Sequence, residues 1–428
     1  MNHRGLSFVG LLLVACGSTS EAPPPVGSTP LPCDVDAVLA KNCRSCHSSP
    51  AKYGAPMPLT SWEAVHAKAA SNPGVEVWEL MKARVHDKQN PMPASGMLGA
   101  TDLATLDAWF AASAPKGTAS CSDAGVVETK EGPAYLPCPE AQQTRFVAHG
   151  DGGAKFSVPA DAGNLYECFY FKSPFTTPTQ ATAFAPIIDD TRVVHHWILF
   201  ETPTPQKEGT FGPCKMPLDA QFISGWAPGG GNKVMPDDVG MKLPGGDRWL
   251  ILQLHYWNVA GHKDSKDQSG VAMCTTEKLR PHTAVISTLG SANIDLPPKS
   301  ANVEVKGKCT PNLTEPIHVL ASSPHMHGRG HKFTTKVLRG GDPAKAETLV
   351  DVPRFDFNAQ QSYDAPKDML LAPGDTLETT CVYDNPGSTS VFFGEKTEDE
   401  MCFNFVLAWP ESGIVNAGGA AARRCIDK

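Results

Sequence analysis

Two histidines separated by a single residue, His325 and His327, are the most suggestive residues of the sequence. On an extended strand, side chains two positions apart lie on the same face, so the two imidazoles would project together. Two neutral imidazoles on one rigid face form part of a site for copper, zinc, nickel or iron. The pair alone is a weak signal, because two half-exposed strand histidines give the same pattern.

Other candidate metal ligands give this pair more weight. His195 and His196 are adjacent, His255 ends an apolar run, and Met401 precedes a cysteine. Successive residues of a regular strand face opposite ways, so His195 and His196 need a bulge or a strand end to reach one metal ion. His255 taken singly is more often a hydrogen-bonded core residue. The thioether of Met401 is a soft ligand that favours Cu(I).

A second motif, Cys43-Arg44-Ser45-Cys46-His47, is the attachment signature of a c-type haem. Thiols at this spacing reach the two vinyl groups of one haem, and the adjacent histidine can bind the iron. A structural disulfide or a zinc site is the alternative interpretation. The motif predicts covalent haem on Cys43 and Cys46, with His47 as an axial ligand.

The other axial ligand should come from the opposite side of the haem. We predict Met92, because Asn90-Pro91-Met92-Pro93-Ala94 resembles the Met-Pro ligand loop that precedes the last helix of small class I cytochromes c. Met57 and Met97 are the rivals, and His66 and His86 are expected to face solvent.

Apolar residues at helical spacing flank this motif. They are Val35, Val38 and Leu39 in a first helix, and Leu103, Leu106 and Phe110 in a later helix that Thr101 can cap. This region resembles a small class I cytochrome c, and the resemblance covers residues 32–122 only. It implies helices packed on a haem. Small polar residues, Pro115 and Gly117 then indicate a linker from Ser113 to Glu131.

After residue 136 the pattern changes to short strands between glycine and proline turns. The predicted strands include Val193–Phe200, Trp249–Trp257, Ile317–Ser322, His331–Leu338, Thr376–Tyr383 and Met401–Trp409. Helical periodicity is nearly absent. This pattern predicts two antiparallel β-sandwiches of the jelly-roll kind, side by side.

The N-terminus predicts an exported lipoprotein. His3 and Arg4 precede an apolar run, Leu6–Ala15, that is too short to span a bilayer and ends at Cys16. This resembles a bacterial lipoprotein box, so Cys16 would carry lipid after cleavage; an ordinary signal peptide with a chance cysteine is the alternative. The protein is therefore expected on the periplasmic or surface side of a bacterial membrane, attached by lipid alone.

Composition agrees with export and argues against nucleic acid as a partner. The 428 residues carry a net charge of −8 and 13 cysteines, which are many for a cytosolic protein. We predict six segments: signal peptide 1–15, tether 16–31, haem domain 32–122, linker 123–135, and β-sandwiches 136–290 and 291–428.

Five blocks of the β region, in order, resemble the type II copper, ascorbate-dependent monooxygenases, the family of dopamine β-monooxygenase and peptidylglycine α-hydroxylating monooxygenase. The blocks are Val194–Phe200, Val239–Gly246, Leu252–Tyr256, His325–His327 and Asp399–Cys402. The resemblance covers about residues 138–425.

The resemblance implies two copper sites and a disulfide pattern. His195, His196 and His255 would hold the electron-transfer copper. His325, His327 and Met401 would hold the copper at which oxygen binds and the substrate is attacked. The implied disulfides are Cys138–Cys274, Cys168–Cys214, Cys309–Cys425 and Cys381–Cys402, which leave Cys33 and Cys121 to pair with each other.

The sequence departs from the peptide-amidating members at the substrate. Those members use an arginine two residues before the H-x-H pair and a tyrosine after the methionine ligand, where this chain has Ser323 and Phe405. A carboxylate-clamped substrate is therefore not supported. The family disulfide just after the His195-His196 strand is also missing, since Glu201 and Thr202 stand there.

The expected function is a copper monooxygenase that hydroxylates a C–H bond of a small organic substrate with O₂. Its cofactors would be two copper ions and one haem c, and the haem would supply or relay electrons from a reductant or redox protein. The alternative is a copper-binding or electron-transfer protein that does not hydroxylate.

Overall fold

The computed structural model describes residues 30–44, 46–49, 51–52, 55–69, 72–87, 92–93, 98–118, 121, 131–162, 164–214, 217, 219–228, 230–258, 261–355, 357, 360–394, 398–416 and 424–427. The predicted signal peptide, most of the tether, Cys16 and Met97 lie outside these ranges. Within them, no helix is long and apolar enough to span a membrane.

The first region is mainly helical. Its elements are α1 (Cys33–Asn42), α2 (Trp62–His66), β1 (Lys68–Ala69), β2 (Asn72–Glu76), α3 (Val77–His86) and α4 (Ala100–Ala111). Val35, Val38 and Leu39 of α1 are buried, and the helix ends one residue before Cys43. The helical spacing therefore predicted this element correctly. Helices α1 and α3 both pack against α4.

The linker start at Ser113, which the composition indicated, lies too early in the sequence. Ala114 is fully buried, and its carbonyl accepts hydrogen bonds from Trp62 Nε1 at 3.0 Å and His66 Nε2 at 2.9 Å. Cys121 is joined to Cys33 by a disulfide. The residues just after α4 thus belong to the helical region despite their small, polar composition.

The expectation that His66 faces solvent is also wrong. Its side chain is only 18% exposed, because Glu76 and Ala114 bond its two ring nitrogens and Trp62 stacks on it at 4.1 Å. His86 is exposed as expected and pairs with Asp107 at the surface.

The rest of the described chain is almost entirely β structure. The first strands are β3 (Gln143–Val147), β4 (Phe156–Ser157), β5 (Leu165–Lys172), β6 (Gln180–Ile187), β7 (Val194–Thr202), β8 (Phe211–Pro213), β9 (Gln221–Trp226), β10 (Lys233–Val234), β11 (Val239–Lys242), β12 (Trp249–Tyr256), β13 (Lys266–Asp267) and β14 (Gly270–Thr276). The later strands are β15 (His282–Ser291), β16 (Asp295–Leu296), β17 (Ser300–Cys309), β18 (Ile317–His325), β19 (Gly330–Leu338), β20 (Ala346–Val352), β21 (Tyr363–Asp364), β22 (Leu370–Leu371), β23 (Thr376–Asn385), β24 (Val391–Phe392), β25 (Cys402–Trp409) and β26 (Arg424–Asp427).

These strands form two sandwiches that share one continuous sheet. The shared sheet has the order β21-β18-β25-β15-β11-β6-β14-β3. Opposing sheets, β8-β5-β12-β7-β9 and β17-β23-β19-β20, cover its two halves. Strand β15 joins the halves, because it pairs with β11 in parallel at its start and with β25 antiparallel over the rest. The mostly β architecture agrees with the predicted sandwiches.

Each half has its own buried core. Trp197, Tyr256 and Phe169 are among the fully buried side chains of the first half, and Phe333 and Tyr383 of the second. The two halves also touch directly, since the ring of Phe222 stacks on that of Phe405 with centroids 4.5 Å apart.

Five disulfides fix the described chain. They are Cys33–Cys121, Cys138–Cys274, Cys168–Cys214, Cys309–Cys425 and Cys381–Cys402, the same pairs that the sequence analysis expected. Cys43 and Cys46 take part in no disulfide among the described residues.

Candidate metal centre

The first histidine cluster is built by the pairing of β7 with β12. His196 lies opposite His255 in this register, while the next pair joins Val194 with Tyr256. His195 is therefore an extra residue on β7, which forms a bulge. A bulge re-aims side chains, so both adjacent histidines reach one point, as the sequence required of any shared metal site.

Three ring nitrogens converge in this cluster. His195 Nδ1 lies 3.1 Å from His196 Nδ1 and 3.2 Å from His255 Nδ1. His255 Nε2 lies 2.7 Å from Asn164 Oδ1, a hydrogen-bond acceptor, so Nε2 carries the proton. The lone pair of His255 Nδ1 then faces the other two rings.

Burial keeps the imidazoles of His196 and His255 neutral. Burial and the neighbouring histidines hold the pKa of His196 and of His255 well below the ordinary value. A metal ion needs the neutral ring, and the three residues are at most 6% exposed. Tyr166 stacks flat on His255 with ring centroids 4.2 Å apart and so limits its rotation. The donor set fits a copper ion bound by three imidazoles.

The second candidate site begins where β18 ends, at His325. Met326 is fully buried on the opposite face, and the rings of His325 and His327 lie 5.3 Å apart on the near face. His325 Nδ1 contacts Gln360 Oε1 at 2.6 Å, and His327 Nδ1 contacts the carbonyl oxygen of Asp399 at 3.0 Å. Both acceptors place the proton on Nδ1, which leaves Nε2 of each ring for a metal ion.

Burial and the neighbouring His327 lower the pKa of His325 to about 3, against a small opposing effect of Gln360. The ring is therefore neutral over the physiological range. It carries the lone pair that metal binding requires.

A buried carboxylate joins the two parts of this site. Glu400 Oε2 accepts hydrogen bonds from the backbone N–H of His327 at 2.9 Å and of Met401 at 3.3 Å, and Oε1 accepts from Arg329 at 2.7 Å. Burial raises the pKa of Glu400 to about 7, although these N–H groups oppose the shift. Tyr383 donates to the Met401 carbonyl at 2.7 Å. The backbone of two of the three predicted ligands, His327 and Met401, is thus held in one hydrogen-bonded unit.

Both sites face one cleft between the sandwiches. His196 and His325 line the same cavity of about 670 Å³, which includes its opening to solvent. Phe357 lies beside both sites, with its ring centroid 5.7 Å from that of His195 and 5.9 Å from that of His327. The arrangement places the cluster of three histidines and the His325–His327 pair around one space that a small molecule can enter.

The predicted haem ligands lie in the helical region. His47 Nδ1 contacts the Met57 carbonyl oxygen at 2.8 Å, which leaves Nε2 for an iron ion. Burial lowers the pKa of His47 and raises that of the Cys43 thiol to about 12. The Met92 N–H donates to the Arg84 carbonyl at 2.9 Å.

Several residues of the sites have no clear signal in the sequence. Asn164 and Gln360 orient ligand rings, Phe357 lies beside both sites, and Lys233 lines the cleft. Glu400 could have been suspected, because it precedes Met401 in the Asp399–Cys402 block. The others lie far in sequence from the ligands they serve.

Two family descriptions match the β region. Residues 153–263 match "Copper type II ascorbate-dependent monooxygenase, N-terminal domain", and residues 282–418 match the corresponding C-terminal domain. Together these segments make up more than half of the chain.

Known relatives agree with these matches. A tyramine beta-hydroxylase of Caenorhabditis briggsae is 31% identical over 275 residues, which cover 58% of this chain and 46% of the relative. A dopamine beta-hydroxylase of Canis lupus familiaris is 27% identical over 273 residues, with 58% and 43% covered. The human dopamine beta-hydroxylase is 29% identical over 246 residues, with 52% and 39% covered. The chain spans less than half the length of these curated relatives.

A solved structure of Sulfolobus turreted icosahedral virus covers 60% of this chain and 59% of its own, but its TM-score of 0.17 and 11% identity are too low to bear on fold or function. Each of the two matched domains contains one of the candidate metal sites. Through residues 153–263 and 282–418, the chain belongs to the copper type II ascorbate-dependent monooxygenase family.

Proposed function

We propose that this protein is a copper-dependent monooxygenase that hydroxylates a C–H bond of a small organic substrate with O₂. The observation that carries the proposal is the pair of unlike donor sets around one cleft. His195, His196 and His255 would hold one copper ion, and His325, His327 and Met401 the other. Storage or transport of copper does not require two differently built sites.

Some residues of the chain orient the ligand rings, and others form the wall of the cleft. When bound, copper would supply the redox chemistry that neither imidazole nor thioether has. Asn164 and Tyr166 fix the ring of His255, and Gln360 and Asp399 fix the tautomers of His325 and His327. The apolar walls around His325, among them Pro324 and Phe405, limit the water next to a reacting C–H bond.

Labelled oxygen tests the proposal. The copper-loaded protein, an artificial reductant and ¹⁸O₂ are incubated with small aromatic and aliphatic compounds, and products are examined by mass spectrometry. We expect one ¹⁸O atom in a new hydroxyl group, and none with metal-free protein. A protein that binds two copper ions and exchanges electrons, yet labels no compound of a broad panel, would instead be the electron-transfer alternative.

We further propose that the helical region carries a c-type haem. Cys43 and Cys46 form no disulfide, whereas the other described cysteines do, and His47 has its Nδ1 bonded and its Nε2 available. Arg84 Nε is buried without a hydrogen-bond partner among the described residues, and a haem propionate is one group that could satisfy it. The Met57 carbonyl oxygen contacts His47 Nδ1, so Met57 lies on the same side of the proposed haem as His47. This favours Met92 as the ligand on the opposite side.

Two variants test the haem site. Cys43→Ala/Cys46→Ala should lose the haem that survives denaturing electrophoresis, while Cys33→Ala/Cys121→Ala should keep it. Met92→Ala should remove the weak near-infrared band of a methionine–haem bond. If only Met57→Ala removes that band, Met57 is the ligand.

Electrons for the copper sites would come from this haem. The segment leaving the linker is fixed near the cleft: the Gly132 N–H donates to Asn232 Oδ1 at 2.8 Å, and Asn232 Nδ2 donates to the Gly132 carbonyl at 3.0 Å. Asn232 lies between Gly231 and Lys233, which both line the cleft. A short tether gives roughly millimolar effective concentration.

Stopped-flow reduction of the haem, followed by its reoxidation by Cu(II) without oxygen, tests this transfer. We expect a first-order decay that does not depend on protein concentration and disappears in His195→Ala/His196→Ala. A decay that scales with concentration would require an external donor.

We also propose that Cys16 is lipid-modified and anchors the protein to a bacterial membrane. The support is the sequence alone, in which Leu13-Val14-Ala15-Cys16 follows a short apolar run. Labelled palmitate should enter the wild type and not Cys16→Ser. Equal labelling of both would contradict the anchor.

A further inference from the structure

One lysine of the cleft differs from other lysines of its sandwich. Lys233, at the start of β10, lines the cleft that His196 and His325 share. Its ammonium makes no hydrogen bond or ion pair with any residue that the structure describes. Three other lysines of the same sandwich are ion-paired: Lys155 with Asp189 at 2.7 Å, Lys172 with Asp247 at 2.9 Å and Lys242 with Glu411 at 2.6 Å. Lys207, which has no ion pair among the described residues, is exposed to solvent.

The Lys233 side chain is also partly buried. Burial lowers the pKa of Lys233, and Asp364 on β21 opposes the shift without reaching ion-pair distance. A desolvated charge is costly unless another charge or several hydrogen bonds compensate it. Because no described residue compensates the Lys233 ammonium, the negative charge that does so is expected to belong to a molecule bound in the cleft.

The rest of the cleft suits a molecule with an apolar body. Ile198, Phe222, Trp226 and Phe405 form much of its wall. Uncharged polar groups lie beside them, including Ser323, whose hydroxyl donates to Ser362 Oγ at 3.0 Å. No carboxylate occurs among the described residues that line the cleft.

A desolvated ammonium requires hydrogen-bond acceptors, and a carboxylate offers only acceptors.

We propose that Lys233 binds the carboxylate of a small, largely apolar carboxylic acid, and that this compound is the substrate. The inference rests on the proposed monooxygenase function. The cation would then come from the first sandwich, whereas the peptide-amidating members place an arginine at the position of Ser323 in the second. Dopamine and tyramine, after which the related enzymes are named, carry an ammonium at neutral pH that Lys233 would repel.

Binding of three compounds of similar shape tests the proposal: 3-phenylpropanoate, 3-phenylpropanamide and 3-phenylpropylamine. Affinity is measured by calorimetry on the full chain with copper bound, and again after copper removal, which excludes direct binding of carboxylate to the metal. We expect the carboxylate to bind at least about tenfold more tightly than the amide, as a charge-assisted hydrogen bond does. The amine should bind most weakly.

Variants assign the preference to Lys233. Lys233→Gln should abolish the advantage of carboxylate over amide, and Lys233→Arg should keep most of it. Lys207→Gln, which changes an exposed lysine of the same sandwich, should behave like wild type. Thermal unfolding of each variant checks that it is folded, and Lys233→Arg provides the result if Lys233→Gln does not fold.

Three outcomes would overturn the proposal: equal affinity for carboxylate and amide, an advantage that survives in Lys233→Gln, or an advantage that appears only in Asp364→Asn. The last result would mean that Asp364 already occupies the ammonium. Because these affinities need neither oxygen nor turnover, a failure of the labelled-oxygen experiment leaves them intact. Conversely, hydroxylation of the amine without any effect of Lys233 would remove this inference alone.

Discussion

The two candidate copper sites obtain their geometry in different ways. His195, His196 and His255 lie on paired strands, so the register of β7 with β12 and a single bulge bring their rings together. His325 ends a strand, His327 follows it, and Met401 precedes another strand. Backbone hydrogen bonds to Glu400 join these segments.

This difference fits the two roles proposed above, electron transfer at the first site and oxygen chemistry at the second. A site inside a sheet has few ways to change its ligand positions, which suits an ion that only gains and loses electrons. A site at strand ends, next to a cleft, can leave room for O₂ and a substrate. The following predictions would sharpen this contrast or remove it.

The largest expected effect is the loss of one metal ion. His255→Ala removes one of three converging nitrogens and should lose about one equivalent of copper. Met401→Ile should keep most of its Cu(II) and lose oxygen chemistry, because imidazole holds Cu(II) whereas a thioether favours Cu(I). Copper analysis of the dialysed, oxidised proteins gives the measurement.

The two variants serve as controls for each other. If Met401→Ile loses as much Cu(II) as His255→Ala, the thioether is not a selective ligand for Cu(I) here. If His255→Ala retains both equivalents, the convergence of the three Nδ1 atoms does not define a metal site.

Replacing Glu400 should have the next largest effect. In Glu400→Gln, the side-chain amide can accept through one oxygen only and places an N–H₂ group against backbone N–H donors. An unsatisfied buried donor costs about 1–3 kcal/mol. We expect the free energy of unfolding to fall by about that amount, and copper to be lost from the second site alone, as followed by urea unfolding and copper analysis.

Glu398→Gln is the matched control, since only the carbonyl of Glu398 has a described contact, with Arg329. Equal destabilisation in the two variants would show that Glu400 does not hold the site together. Loss of copper from the first site in Glu400→Gln would show that the sites are not independent.

Much of this architecture could be predicted from the sequence, because the evidence is local. Alternating apolar residues mark the strands, and residue type with spacing marks the candidate ligands. His195 and His196 even required the bulge that the structure contains. The groups that orient these ligands were not predictable in this way, because Asn164 and Glu400 lie 91 and 73 residues from the histidines they bond. Lys233 follows a glycine-rich turn that gives no sign of the cleft.

Residues that orient the ligands should have smaller effects than the ligands themselves. Asn164→Ala frees His255 Nε2, and Gln360→Ala frees His325 Nδ1. Loss of such a partner typically costs 10- to 100-fold in metal affinity. We expect the smaller loss for Asn164→Ala, because Tyr166 still stacks on His255, and competition with a copper chelator measures both. A larger loss for Asn164→Ala would contradict the rigidity assigned to the first site.

The smallest expected effect is on the pH dependence of the metal-free protein. The pKa of His325 is about 3 in the folded state, and about 6.5 in an unfolded chain. As the pH falls below about 6.5, the unfolded chain therefore binds a proton that the folded protein does not. The contribution of the neutral His325 to the free energy of unfolding is therefore fully present above that pH, and it is lost progressively as the pH falls toward 3.

His325→Asn removes this contribution. Between pH 6 and pH 5, the free energy of unfolding of the variant should therefore decrease less than that of the wild type, and the two decreases should differ by about 1 kcal/mol. His196→Asn should flatten the curve in the same direction, because burial and its histidine neighbours also lower the pKa of His196. Urea unfolding of the three chelator-treated proteins at both pH values provides the test. A slope unchanged in His325→Asn but flattened in His196→Asn would mean that the strand-end ring is solvated and takes up its proton freely. The two sites would then differ in their exposure to water as well as in the way their ligands are held.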